Sequence, residues 1–277
     1  MRNIVGACIV LCCALAATPA FANIVDGVNE IRRSGCKNHP GVKRPLRPSR
    51  GLDAVAREWS KGGRLREALA RTDYRGTNSA SMLVEGSTDE QTILRVLREG
   101  YCDTITNPAF TEIGSYRRGD GVWIVVAAPF DPPTARDANK VGQQVLSLVN
   151  EARSKPRKCG RTRYPAVPPL KLSAMLNRAA LIHSQDMAKS DFFQHRGSDG
   201  SMVGDRVARV GYQWRAVAEN IAIGAETAQA VVDGWLTSPG HCVNIMSPDY
   251  SEMGIAFVTD AKSEPGIYWT QVFARPL

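Results

Sequence analysis

The chain states one pattern twice. Val28-Asn29-Glu30-Ile31-Arg32 resembles Val149-Asn150-Glu151-Ala152-Arg153, and each is followed by a basic loop carrying a cysteine. Pro45-Leu46 then matches Pro169-Leu170, and at that offset Ser49, Leu52, Val55, Ala56 and Ser60 fall on Ser173, Leu176, Ala179, Ala180 and Ser184, so a whole helix corresponds. Gly86, Ile93, Leu94 and Leu97 fall on Gly224, Val231, Val232 and Trp235. Gly100-Tyr101-Cys102 matches Gly240-His241-Cys242, and Glu112-Ile113-Gly114 matches Glu252-Met253-Gly254. A run of matches in this order requires one architecture built twice. The polar, proline-bearing segment 131–137 between the copies has the composition of a linker. It divides residues 23–130 from 138–277, and each part has the usual length of a domain with its own core.

Periodicity supplies the elements. Val141, Val145, Leu148 and Val149 share a helical face, as do Leu172, Leu176, Ala179, Ala180 and Met187, with Ser173 in place to cap the second helix. Val231, Val232 and Trp235 mark a third helix. Asn220 to Ile223, Met253 to Thr259 and Ile267 to Phe273 read as strands, with Asp260 to Gly266 as a hairpin loop. In the first copy the hairpin turns at Arg117-Arg118-Gly119-Asp120-Gly121. Helices flanking a mainly antiparallel sheet predict an α/β sandwich in each half.

The N-terminus carries Arg2, an apolar run and Ala20-Phe21-Ala22, the pattern of a secretory signal over residues 1–22. The run is shorter than the roughly 20 apolar residues of a membrane span, and no later segment is apolar enough, so an integral membrane protein is not expected. Removal of Cys8, Cys12 and Cys13 with this leader leaves Cys36, Cys102, Cys159 and Cys242, an even number without a Cys-x-x-Cys pair. In a secreted or periplasmic protein that is the arithmetic of disulfides. Three connectivities are open. Cys36 with Cys102 and Cys159 with Cys242 is preferred because it gives each repeat the same internal staple, worth about 4 to 5 kcal/mol in the chain-entropy model.

Residues 141–277 resemble the CAP superfamily, also called SCP or PR1-like, and its bacterial branch in particular. The resemblance rests on His183-Ser184-Gln185-Asp186-Met187, Phe192-Phe193-Gln194-His195, Asp205-Arg206, Gly211-Tyr212, Glu219-Asn220-Ile221-Ala222, Trp235 to His241, and Tyr268-Trp269-Thr270-Gln271. It implies a three-layer α-β-α sandwich with a cleft formed by two histidines and two acids that often takes up a divalent metal. His195, Glu219 and His241 match three of those four positions. The fourth falls on Ser238, with Asp233 as a substitute that no spacing requires. The first copy resembles a degenerate CAP domain: Tyr101 stands where His241 does, Ser81 falls opposite Glu219, and the segment bearing His195 has no counterpart.

Two imidazoles and a carboxylate can hold a divalent metal or move a proton. His195 and His241 are the expected ligands if zinc binds, with Glu219 as a further ligand or a general base. There is no HExxH helix, and Ser238 before Pro239-Gly240 reads as turn chemistry rather than as a nucleophile. His183 lies on the apolar stripe of its helix where the other copy has Trp59, a position of packing or of support behind the site.

The chain has 35 basic and 27 acidic residues. The excess is concentrated in two acid-free loops, Arg32, Arg33, Lys37, Lys43, Arg44, Arg47 and Arg50 in one, Arg153, Lys155, Arg157, Lys158, Arg161 and Arg163 in the other. Such loops are either solvated surface or attract an anionic envelope polymer or lipid. Nucleic acid is not an expected partner of an exported chain. Recognition of an envelope component, lipid or protein through the second-domain cleft is the leading expectation, and a zinc-dependent hydrolase is the alternative.

Overall fold

Buried apolar stripes at helical spacing and strands facing them on both sides set the architecture. The computed structural model describes residues 24–277, and the signal expected at 1–22, with Cys8, Cys12 and Cys13, lies outside them. The chain divides into two compact units, one ending at Phe130 and the other running from Asp131 to Leu277.

The first unit has α1 (Ile24–Ser34), β1 (Arg47–Pro48), α2 (Arg50–Trp59), α3 (Leu65–Ala70), β2 (Gly76–Val84), α4 (Glu90–Gly100), α5 (Cys102–Ile105), β3 (Glu112–Arg118) and β4 (Gly121–Pro129). Its sheet has the order β1-β3-β4-β2, antiparallel apart from the β1–β3 pair. Alternate residues of β4 face opposite layers: Val125 and Ala127 pack with Leu52, Val55 and Ala56 of α2, while Ile124 and Val126 pack with Val28 and Ile31 of α1 and Ile93 and Leu97 of α4.

The second unit has α6 (Ala138–Arg153), β5 (Arg157–Cys159), β6 (Thr162–Tyr164), β7 (Lys171–Leu172), α7 (Ala174–Ser190), α8 (Val203–Arg209), β8 (Trp214–Ile223), α9 (Ala228–Thr237), α10 (Pro239–Met246), β9 (Glu252–Thr259) and β10 (Ile267–Pro276). Its sheet has the order β7-β9-β10-β8, again antiparallel apart from the first pair. Leu176, Ala179 and Ala180 of α7 pack on Val272 and Ala274 of β10. On the opposite face α6, α9 and α10 pack together and meet the sheet, with Trp235 donating its indole N–H to the Ile221 carbonyl at 3.1 Å.

The repeat extends to individual hydrogen bonds. Asn29 exchanges two bonds with the Leu46 main chain, at 3.0 and 2.8 Å, and Asn150 does the same with Leu170 at the same two distances. Asp53 accepts from the Ser115 N–H as Asn177 accepts from that of Ile255. Ser81 pairs with Val125 opposite Gly114, and Glu219 pairs with Val272 opposite Gly254, so Ser81 occupies the ladder position of Glu219. The bridges are Cys36–Cys102 and Cys159–Cys242.

Four sequence expectations change. Segment 131–137 lies within the second unit: Ala135–Asp137 forms a 3-10 turn closed by Asp137 accepting from Thr134, and the Asp131 N–H donates to Glu226. Its acceptors turn a linker composition into a helix entry. Ser173 stands at the N-cap of α7 without a side-chain cap bond, and its main chain joins the elements, the N–H donating to Met253 and the carbonyl accepting from Asn177. The strand around Glu219 begins six residues earlier than Asn220, at Trp214, because β10 continues to Pro276 and supplies partners. Arg32 and Arg153, counted among surface cations, are buried at 1% and 0% exposure and donate to main-chain carbonyls.

Gly254 sits where the main chain of Leu176 and Asn177 in α7 crosses β9, and an added Cβ would meet those backbone atoms. Gly254→Ala is therefore expected to lower stability by about 1 to 3 kcal/mol or more, read by urea denaturation, since neither backbone can yield. An unchanged midpoint would refute that close packing.

Candidate functional site

Local signals set the stage for His195. Helix α7 stops at Ser190 because Asp191 adopts a left-handed conformation, φ 48°, and the Tyr268 hydroxyl holds the Asp191 carboxylate at 2.8 Å. The following loop is tied to the domain at several points. The Gln194 carbonyl accepts from His183 Nε2 at 2.9 Å, the His195 carbonyl from Arg206 Nη2 at 3.0 Å, and Asp186 Oδ2 from the Ser198 N–H at 2.8 Å.

Glu219 lies midway along β8, its side chain 2% exposed. Both its oxygens are engaged. Oε1 accepts from His195 Nδ1 at 2.9 Å and lies 3.7 Å from His183 Nε2, while Oε2 accepts from the buried Arg206 guanidinium at 2.7 Å. Arg206 also donates to the Ser201 carbonyl at 2.7 Å. The pair thus buries a carboxylate against a cation of matched charge, with further acceptors for the guanidinium. Glu219 thus has one oxygen on a buried arginine and the other on the imidazole whose ring it orients.

His195, with 48% of its side chain exposed, presents Nδ1 to the carboxylate, which leaves Nε2 with its lone pair. His241 arrives from the other side of the sheet, on α10, where its carbonyl accepts from Asn220 Nδ2 at 3.3 Å and Cys242 anchors the helix to Cys159. Asn244 Nδ2 donates to Asn220 Oδ1 at 2.9 Å and to the Glu219 carbonyl at 3.3 Å, tying α10 to the open edge of β8. Burial pushes the His241 imidazole below its ordinary pKa, and the neighbouring charge of His195 pushes it further. His195 and Glu219 are thus in direct contact, and Asn220 and Asn244 place the helix that carries His241 beside them.

Ser238 is half-buried at the start of α10 and makes no cap bond with its side chain. Asp233 is exposed and accepts from Gln229 at 2.9 Å, so it does not restore the missing acid. His183 is fully buried behind the site, with Nδ1 lacking a partner among the described residues. Arg206 is the functional residue that sequence reasoning gave no role. Its signal was available: on α8 it stands among Val203, Val207 and Val210, an arginine on an apolar stripe, which implies a buried acceptor.

Among the described residues no group of three or more His, Cys, Asp or Glu is arranged to hold a metal ion. Catalytic zinc sites use three protein ligands, and with Glu219 committed to Arg206 the cleft offers two imidazoles. The donor set does not fit a closed zinc centre.

A sequence model of the cysteine-rich secretory protein family, CAP, matches residues 146–273. The match to the CAP family lies wholly within the second unit. The CAP domain is 30% identical over 131 residues to the uncharacterized protein YkwD of Bacillus subtilis, covering 47% of this chain and 46% of that protein. It is 28% identical over 133 residues to the uncharacterized membrane protein YlbC of the same organism, covering 48% of this chain and 34% of YlbC. The chain thus spans less than half the length of these relatives. An extracellular SCP-domain protein from Bacillus anthracis is similar in structure, at 26% identity and TM-score 0.43, over 56% of this chain and 52% of that one.

Acid is expected to destabilise the CAP domain. Burial lowers the pKa of His183 as well as that of His241, so both favour the neutral ring when folded. Their contribution is complete above the unfolded value near 6.5 and is lost as pH falls through the depressed folded values. Thermal midpoints should drop below about pH 6.5, and less so in His241→Gln. A wild-type midpoint flat across that window would contradict the assignment.

Proposed function

We propose that the protein is an exported recognition module whose CAP domain binds an anionic cell-envelope component through the His195 and His241 cleft. The observation that carries this reading is the commitment of both Glu219 oxygens to Arg206 and His195, which makes the carboxylate a fixed support for an imidazole left free to meet a ligand. The hairpin of β5 and β6 supports the anionic class. Lys158 and Arg163 are cross-strand partners of like charge, and Arg161 lies in the turn. Cys159 tethers this hairpin beside His241 through Cys242. Like charges placed opposite each other cost stability unless an anion joins them. Two disulfides and the signal-like leader support export, and among the described residues no helix is long and apolar enough to cross a membrane.

The first unit is read as a degenerate CAP domain. Trp59, Tyr116 and Trp123 fill the face corresponding to the His183 side of the cleft, and the Tyr101 hydroxyl bonds the Leu83 main chain at 2.9 and 3.3 Å. Its chemistry-bearing positions are thereby taken up by packing.

The zinc-dependent hydrolase is a second reading, favoured by a histidine oriented by a carboxylate, the usual support of a metal ligand, and it requires a third ligand beyond the two imidazoles. Cosedimentation of the full chain with isolated cell-wall polymer and with anionic vesicles, beside His195→Ala/His241→Ala, tests the first reading. Binding equal in wild type and double variant contradicts it. Calorimetric titration with zinc tests the second, which fails if wild type and variants behave alike.

A further inference from the structure

The CAP domain has a second concave feature, away from the histidines. A cavity of about 520 Å³ lies between the N-terminal half of α6 and the start of α7, with Val141, Leu172, Leu181, Ile255 and Phe257 among its walls. That volume falls within the roughly 300 to 1,000 Å³ of ligand pockets. Its floor is the outer edge of β9. Strand β7 pairs only as far as Leu172 with Met253, after which β9 has no further strand on that side. The main-chain series at this edge can be followed residue by residue. The Ser251 carbonyl accepts from Lys171, the Met253 carbonyl from Ser173, and the Ile255 N–H is taken by Asn177. By strand alternation the next groups are the Ile255 carbonyl and both main-chain groups of Phe257, and these have no partner among the described residues.

We propose that this groove binds an extended peptide, which adds to β9 as a further strand and sets a large apolar side chain in the cavity. An acyl chain would fill the walls and leave the Phe257 N–H and carbonyl unsatisfied, whereas a strand answers each of them. The edge also lacks the usual guards against strand addition: Ile255-Ala256-Phe257-Val258-Thr259 contains no charge, no proline and no register shift. Arg178 fixes the charge of the partner. It lines the cavity, is exposed and has no acidic partner among the described residues, and no Asp or Glu occurs from Ala152 through Gln185. The peptide therefore carries a carboxylate near its apolar anchor.

Panning a random dodecapeptide phage library against the full chain tests the proposal, with Ala138→Trp, which projects into the groove from an exposed position, and Arg178→Glu in parallel. Wild type is expected to enrich peptides with a large apolar residue beside Asp or Glu. Their synthetic forms should lose about tenfold or more in affinity on Ala138→Trp, equivalent to about 1.4 kcal/mol. Arg178→Glu should turn the preference to Lys or Arg. N-methylation of alternate peptide amides should abolish binding while the intervening positions tolerate it, and His195→Ala/His241→Ala should bind as wild type does. The proposal is overturned by no enrichment, by equal affinity for Ala138→Trp, or by tolerance of methylation at every amide. A dimer in sedimentation that Ala138→Trp dissociates would assign the edge to a second copy, and would overturn it too.

Discussion

Replacing Arg206 with methionine is expected to cost the CAP domain about 3 to 5 kcal/mol, among the largest effects of any single change in the chain. Both partners of the Arg206–Glu219 pair have side chains only 2% exposed, and their separation is 2.7 Å. Methionine fills much of the arginine volume but leaves a carboxylate buried without its counter-charge and the Ser201 and His195 carbonyls without their donor. The double variant Arg206→Met/Glu219→Gln should recover a large part of the loss, because it removes the stranded charge. Urea denaturation of the two variants checks this. Equal stability of single and double variants would mean that the pair is not coupled.

Arg153→Leu is expected to exceed about 4 kcal/mol, since several buried acceptors are orphaned at once. The guanidinium donates to the carbonyls of Ile245 at 2.6 Å, Ser247 at 2.9 Å, Pro168 at 2.8 Å and Tyr250 at 3.4 Å, with no acid among them. Burial pushes its pKa down to about 10, so it remains charged near neutrality. Its charge faces the C-terminal end of α10, where the helix dipole is negative. Because α10 carries His241 and Asn244, the variant should also loosen the cleft. Lysine should not rescue it, since a point charge cannot reach four separated carbonyls as a planar fork does. Arg32 in the first unit serves the same purpose, donating to Arg44, Ile105, Asn107 and Phe110.

The duplication was legible because matched side chains do matched work. Helices α6, α7 and α9, both hairpins and the pairing of the cysteines follow from periodicity and offset, and so does Ser81 opposite Glu219. What escaped the sequence depends on partners brought from afar. Arg32 and Arg153 read as loop cations because most of their acceptors are carbonyls some 70 to 100 residues away, and carbonyls have no signature in sequence. Segment 131–137 read as a linker because the Glu226 that receives Asp131 is likewise distant. His195, Glu219 and His241 were identifiable through family resemblance, but the role of Glu219 was not. One buried arginine decides whether that carboxylate is a base or a strut.

Glu219 acts as a strut that fixes the His195 ring through Nδ1, close enough to His241 for the two imidazoles to influence each other. Nitrogen-15 NMR of the histidine rings across pH tests this most directly. The prediction is a neutral His195 protonated at Nδ1, and a His241 pKa that rises toward its ordinary value in His195→Ala. A neutral His195 protonated at Nε2, together with a His241 titration unchanged by that substitution, would contradict it.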